Sequence, residues 1–220
     1  MKKSMKKIMM FMVCLVALCF CKPVKANAQA MISSGYHHTA MIKNDGSLWM
    51  CGENSEGQLG DGTRTIKSKP VKIMTDVKKV YCGRENTAII KKDNSLWVCG
   101  LNNYGQIGDG TTTNRYTPVK VMTGVKDASS GRNFTGALKN DGTVWTWGNN
   151  TAGKLGDGTT TNRTKPVKVA SDVASLSIGY SHSAIIKKDG SLWTWGYNKY
   201  GEIGNNTITD CYAPQKIMTG

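Results

Sequence analysis

The chain has 220 residues and a net charge of +14, from 29 Lys and Arg against 15 Asp and Glu. Six of those lysines and no acid precede residue 29, so the rest of the chain carries +8, spread evenly instead of gathered in a run. Without a basic patch or a recognisable nucleic-acid module, nucleic-acid binding is excluded as an expectation; what remains is a solvated surface or attraction to an anionic partner.

Lys2, Lys3, Lys6 and Lys7 open the chain, and Ile8 to Phe20 follow without a charge. Pro23 then breaks any helix, and Ala26-Asn27-Ala28 offers a small-x-small cleavage site. This is the layout of a secretory signal peptide of bacterial type. Its apolar run is too short to span a bilayer, which needs about 20 residues. Cys19 follows Leu18 and Cys21 follows Phe20, which disfavours a lipid-anchor site. The segment 1–28 therefore predicts a protein that is secreted or held at the cell surface, cut after Ala28, with no membrane span afterwards.

The remaining 192 residues divide into four units of 48, 29–76, 77–124, 125–172 and 173–220, and Trp49, Trp97, Trp145 and Trp193 mark the period. A fixed period in this range means a repeat architecture. Each unit opens with a strand such as Val77–Tyr81, then a glycine (Gly35, Gly83, Gly131, Gly179), then a second strand such as Thr87–Lys91. A turn follows at Asp45-Gly46, Asp93-Asn94, Asp141-Gly142 and Asp189-Gly190. Asp-Gly between apolar runs predicts a type I′ turn, and Asn94 is the substitute that best tolerates positive φ. The third strand is Leu96–Cys99 or its equivalent, followed by scaffold glycines: Gly52, Gly57 and Gly60; Gly100, Gly105 and Gly108; Gly148, Gly153 and Gly156; Gly196, Gly201 and Gly204. The column Gly62, Gly110, Gly158 ends in Asn206, again at a predicted left-handed position. Pro70, Pro118, Pro166 and Pro214 are expected to begin an outer fourth strand, since proline lacks the ladder donor. Strands two and three are apolar at both parities, so both sheet faces are covered. The fold class is all-β: a β-propeller of four-stranded blades, one per repeat.

At Gly35-Tyr36-His37-His38-Thr39, Asp45-Gly46, Trp49, Gly52-Glu53-Asn54 and Gly57-Gln58-Leu59-Gly60 the chain resembles the regulator-of-chromosome-condensation repeat family. Departures are Asn86 and Phe134 at the His position, and Lys154 and Glu202 at the Gln position. The resemblance implies a ring of seven blades, of which four repeats make an open arc. A partner or a second copy completes that ring, the four blades close more tightly, or the chain belongs to a longer gene product. The family's named activity, nucleotide exchange on a nuclear small GTPase, depends on a protruding β-insertion; no repeat here contains one, and the export segment leads away from the cytosol. Exported bacterial members of this architecture resemble protein-binding propellers.

Fixed columns serve the scaffold, so binding is expected where the repeats differ. The loop after the first glycine contributes Tyr36, His38, Arg84, Arg132, Phe134, Tyr180 and His182; the position before the Gly-Gln step contributes Tyr104 and Tyr200; the loop before proline contributes Arg115 and Arg163. Tyr and Arg are enriched in interface hot spots. The expected partner is a protein, engaged through one rim, or an anionic cell-wall polymer, engaged by an adhesive surface unit. No catalytic, cofactor or metal residues are expected. There is no nucleophile elbow and no phosphate loop, and Asp109–Asn114 lacks the acidic alternation of a calcium loop. His37 and His38, adjacent on a strand, point to opposite faces. Cys51 and Cys99 stand in the column of Trp147 and Trp195 and read as small buried apolar residues; the spacing of Cys51, Cys82, Cys99 and Cys211 selects no disulfide pairing.

Overall fold

A computed structural model describes residues 31–220; the predicted export segment and its cut after Ala28 lie outside the described residues. Sixteen strands form four antiparallel sheets, each drawn from one 48-residue unit. The first sheet is β1 (Met31–Ser34), β2 (His38–Ile42), β3 (Leu48–Gly52) and β4 (Lys67–Met74). The second is β5 (Val77–Cys82), β6 (Asn86–Lys91), β7 (Leu96–Gly100) and β8 (Arg115–Met122). The third is β9 (Val125–Ser130), β10 (Phe134–Lys139), β11 (Val144–Gly148) and β12 (Arg163–Ala170). The fourth is β13 (Val173–Ile178), β14 (His182–Lys187), β15 (Leu192–Gly196) and β16 (Cys211–Met218). Within each sheet the strands lie in chain order. The first strands of successive sheets touch one another and line the inner side of an arc of blades, and the ring is not closed.

Both faces of the middle sheets are covered. The first five residues of β6 and of β10 are all buried, so the alternation of a one-sided strand is absent. Three apolar clusters fill the spaces between blades: one joins Met50 and Leu59 to Val80 and Ile89, the next joins Val98 and Ile107 to Ala137 and Trp147, and the last joins Leu138 to Ile185 and Trp195. Cys99 stands fully buried in the column of Trp147 and Trp195, and all four cysteines among the described residues are free thiols.

Two local expectations are corrected. The Asp-Gly turns are not type I′, which needs positive φ at both central residues. Positive φ occurs at Gly46, Asn94, Gly142 and Gly190 and not at the preceding Asp. Gly46 N donates to Lys43 O and Lys43 N to Ser47 O, so the hairpin is a type I turn closed by a left-handed residue in a bulge. The Asp serves a different purpose. Its carboxylate accepts from Ser47 N at 2.8 Å and Ser47 Oγ at 2.6 Å, and that Oγ accepts from Trp49 Nε1 at 2.9 Å. The fourth strand also starts earlier than expected. It begins three residues before the proline in every sheet, and the register shifts between Met50 and Gly52 and their equivalents, so proline sits at an edge-strand bulge where no ladder donor is required.

The loop after each third strand is knitted by one asparagine. Asn102 Oδ1 accepts from Ile107 N at 2.9 Å, while its Nδ2 donates to Thr111 O and Thr113 O; Asn150 and Asn198 repeat the arrangement, and Asn54 repeats it with the first carbonyl alone, Thr63 O. The glycines of this loop give the next blade room. A Cβ on Gly108 would lie 2.6 Å from Trp147 Nε1, and its φ is +88°, whereas Gly158 (φ +79°) has nothing within 4 Å. Gly108→Ala is therefore expected to destabilise the chain well beyond Gly158→Ala, which carries only the backbone cost of about 1 kcal/mol. Urea unfolding of the two variants measures the difference, and equal midpoints would mean that the interblade approach is not tight.

Candidate functional site

The registers put every variable region at one end of the sheets. His38 pairs with Gly52 and Gly52 with Lys67, so the loop 35–37 and the long loop 53–66 leave the same edge, as do their counterparts in the other blades. The hairpin turns lie at the opposite edge.

On the inner side of this rim the loops that follow β1, β5, β9 and β13 converge. Tyr36, Arg84, Arg132 and Tyr180 surround a shallow depression of about 340 Å³, with Ile178 and the first glycines in its floor. Each arginine lies over a tyrosine ring. Arg84 Cζ lies 5.3 Å from the Tyr36 ring centroid and Arg132 Cζ lies 5.1 Å from that of Tyr180, within cation–π range. Both tyrosines remain about 60% exposed, Tyr36 at 62% and Tyr180 at 59%. The result is two cation–aromatic pairs facing solvent across one depression. Such a surface offers guanidinium donors and flat apolar area together.

The other expected partner-binding residues are placed elsewhere, and two are corrected outright. His38 and Phe134 are buried between blades and cannot meet a partner directly. His38 Nε2 lies 3.0 Å from Thr87 Oγ1, and Thr87 Oγ1 donates its single hydrogen to Gln58 O at 2.7 Å. The imidazole must then be the donor, so it is the neutral Nε2–H form, and Nδ1 has no protein partner. Asn86 does the same at the next junction, donating from Nδ2 to Thr135 Oγ1 at 3.1 Å. His182 occupies the equivalent place on the last blade and is half-buried. His37, by contrast, is exposed in the loop ahead of β2 and lies against Tyr36, so the two histidines diverge, His38 alone being held in the strand.

Arg115 and Arg163 are engaged within their own loops. Arg115 bonds Asp109 at 2.5 Å and Arg163 bonds Asp157 at 2.7 Å, at the start of the outer strand. Tyr200 is exposed at the rim beside Tyr197. Tyr104 lines a second pocket, of about 290 Å³, together with Arg132, Asn149, Lys154, Ser181 and Tyr197. Residue-by-residue reading of the sequence missed Lys154 as a site residue. Its signal was visible as a lysine in a column of glutamines, Gln58 and Gln106.

These features define an open, antiparallel β-propeller arc with a cationic and aromatic inner rim. The chain belongs to the RCC1-like domain family, whose match covers residues 15–219. Among solved structures it is similar to human WBSCR16, with 24% identity over 86% of this chain and 52% of that one and a TM-score of 0.75. It is also similar to yeast RCC1 (Prp20) bound to Kap60, with 19% identity over 86% of this chain and 48% of that one and a TM-score of 0.76. A separate structure of Prp20p from Saccharomyces cerevisiae, described with its binding properties to Gsp1p and histones, gives 20% identity over 86% and 50% and a TM-score of 0.73. At these identities the likeness is one of fold. The chain spans about half the length of the structures it matches.

The His38 strut makes stability acid-sensitive. Burial pushes its pKa down to about 4, while in the unfolded chain it lies near the ordinary value of about 6.5. Between those values the unfolded state binds the extra proton. The contribution of the neutral ring is thus fully present above about pH 6.5 and is lost as pH falls to about 4, by roughly 3 kcal/mol. His38→Asn, which copies Asn86, is expected to flatten the pH dependence of the urea midpoint across this window. An unchanged slope would place the acid sensitivity elsewhere.

Proposed function

We propose that this chain is an exported, non-catalytic binding module that engages a protein through the inner loops of one rim. The observation that carries the reading is the convergence of Tyr36, Arg84, Arg132 and Tyr180 on one depression, out of loops 48 residues apart in sequence. A scaffold column has no reason to vary between Tyr and Arg, whereas a contact surface does. These two residue types are enriched in interface hot spots. Propellers of the same family support the class: the yeast relative Prp20p is described with binding to Gsp1p and histones. The export part of the reading rests on the lysine-rich start, the apolar run to Phe20 and the Ala26-Asn27-Ala28 step.

A photo-crosslinking residue at position 36 or 180 is expected to capture a discrete protein from the producing cells, and one at position 92, on the opposite rim, to capture none. The double variant Arg84→Ala, Arg132→Ala should lose that capture while its melting temperature stays within a few degrees. Equal capture from position 92, or capture that survives the double variant, would overturn the rim as the interface. The mature chain recovered from the medium is expected to begin at Gln29; its retention in the cytosol with Met1 in place would remove the export reading.

The excess of basic residues favours a second reading, an adhesive unit on an anionic wall polymer. Its binding would weaken steeply as salt rises past the point where the Debye length falls below about 10 Å. Binding through the Tyr and Arg pairs would change far less.

A further inference from the structure

In three of the four blades the loop after the third strand is closed by the side chain two residues on. Gln58 Oε1 accepts from Glu56 N at 3.1 Å, Gln106 Oε1 from Tyr104 N at 2.9 Å, and Glu202 Oε2 from Tyr200 N at 3.0 Å. The third blade breaks the rule. Lys154 carries donors only, so Ala152 N has no such acceptor. Here the backbone departs as well: Ala152 takes φ +62° inside a short 3-10 turn, Thr151–Gly153. The main-chain carbonyl of Lys154 keeps its place between blades, accepting from Trp195 Nε1 at 3.0 Å and Ser183 Oγ at 3.2 Å. The substitution therefore changes the side chain and the loop tip without altering the junction.

The released side chain is only 6% exposed. Its Nζ sits 5.5 Å from the centroid of the Phe134 ring. It shares the 290 Å³ pocket with Arg132, Asn149, Ser181, Tyr197 and Tyr104. Two cations thus line one pocket, and neither forms an ion pair with a carboxylate among the described residues. Arg132 is exposed, whereas Lys154 is a largely buried residue, and a buried charge is ordinarily paired because lost solvation must be offset. Burial, and after it the charge of Arg132, pushes the Lys154 ammonium down to about 8. The remaining titratable groups lining the pocket are the phenols Tyr104 and Tyr197; no carboxylate lines it.

We infer that the Lys154–Arg132 pocket is a receptor for an acidic side chain, the carboxylate of an Asp or Glu presented by a polypeptide that covers the inner rim. A carboxylate fits where a cation, an apolar group or a neutral amide does not. It supplies the counter-charge that Lys154 lacks, with Arg132 at the mouth of the same pocket as a second donor. The amide and hydroxyl groups of Asn149 and Ser181 can satisfy its remaining lone pairs. Arg132 belongs to both depressions, so a partner seated on the Tyr–Arg pairs would have this pocket within reach. The inference rests on the rim being a protein-binding surface, and it adds the chemistry of what that partner offers.

The test uses the whole mature chain with 13C-methylated lysines, and two probes, a hexaglutamate and a hexaglutamine peptide. The Lys154 methyl resonance is expected to shift and saturate with hexaglutamate and to stay put with hexaglutamine. Lys154→Gln, which restores the residue of the first two blades and should fold, is expected to weaken hexaglutamate binding roughly tenfold. In the parent chain affinity should fall as pH rises from 7 to 9 through the Lys154 titration, and in Lys154→Gln it should not. Binding of equal strength in parent and Lys154→Gln, or a Lys154 resonance that hexaglutamate leaves unmoved, would overturn the inference. Inorganic phosphate binding as tightly as hexaglutamate would also overturn it, since the pocket would then be a small-ion site. The peptide probes do not need the natural partner, so failure of capture at position 36 or 180 and failure here are read separately.

Discussion

The structure depends on one backbone carbonyl per blade. Gln58 O accepts from Thr87 Oγ1 at 2.7 Å; Gln106 O accepts from Thr135 Oγ1 and Trp147 Nε1, both at 2.9 Å; Lys154 O accepts from Ser183 Oγ and Trp195 Nε1. Each carbonyl lies at the junction of two blades, out of water, where an unpaired acceptor would be costly. The Thr or Ser that satisfies it comes from the following repeat, joined by Trp147 and Trp195 at the second and third junctions and by the Cys99 thiol at the first, so each of these blades completes the one before it. The glycine two residues after the carbonyl exists for the same contact, because only without a Cβ can the indole come close enough to donate. Apolar packing supplies the bulk of the stabilisation, but these bonds set the rotation of one blade against the next.

The ends of the arc show what the junction does. Val80 and Ala128 are buried against the preceding blade, while Ile32, in the same column of the first blade, is 75% exposed. Ile42, Ile90 and Leu138 are buried against the following blade, while Ile186 of the last is 45% exposed. Thr39, the counterpart of the fully buried Thr87 and Thr135, stands in solvent. The two end faces thus present the complementary halves of the same junction, and each would bury its apolar residues against another blade of this kind.

Most of this was legible from the chain because a repeat states its own rules four times over. The period, the strand order and the left-handed positions at Asn94 and Asn206 follow from columns, and both asparagines do take positive φ, 61° and 63°. What escaped depended on geometry that a column does not encode. Asp-Gly signals a turn but not how many residues the turn spans, which the Lys43 carbonyl decides by accepting from Gly46 N. The proline column marks an edge strand but not its start, because a bulge lets the strand run through it. His38 looks like a loop residue until Thr87, 49 positions later, is seen to cover it. Of the candidate site, the four residues of the inner rim were named from variability alone. Lys154 was seen only as a departure, since its burial beside Arg132 arises from how a long loop folds back on the start of its own blade.

The carbonyl junction also explains why the rim can vary without endangering the fold. At these positions the main chain holds the neighbour, while the side chain closes the loop in Gln58 and Gln106 and is released from it in Lys154, so the two tasks belong to different atoms. Gln and Lys both leave the carbonyl where it is, as the bonds from Thr135 and Trp147 to Gln106 O and from Ser183 and Trp195 to Lys154 O show. The loops after the first glycine enjoy the same freedom. Gly35 N bonds His38 O and Gly83 N bonds Asn86 O whatever side chains lie between. A surface whose side chains answer to no structural demand is one on which tyrosine, arginine and an unpaired lysine can be set by what they touch outside the molecule.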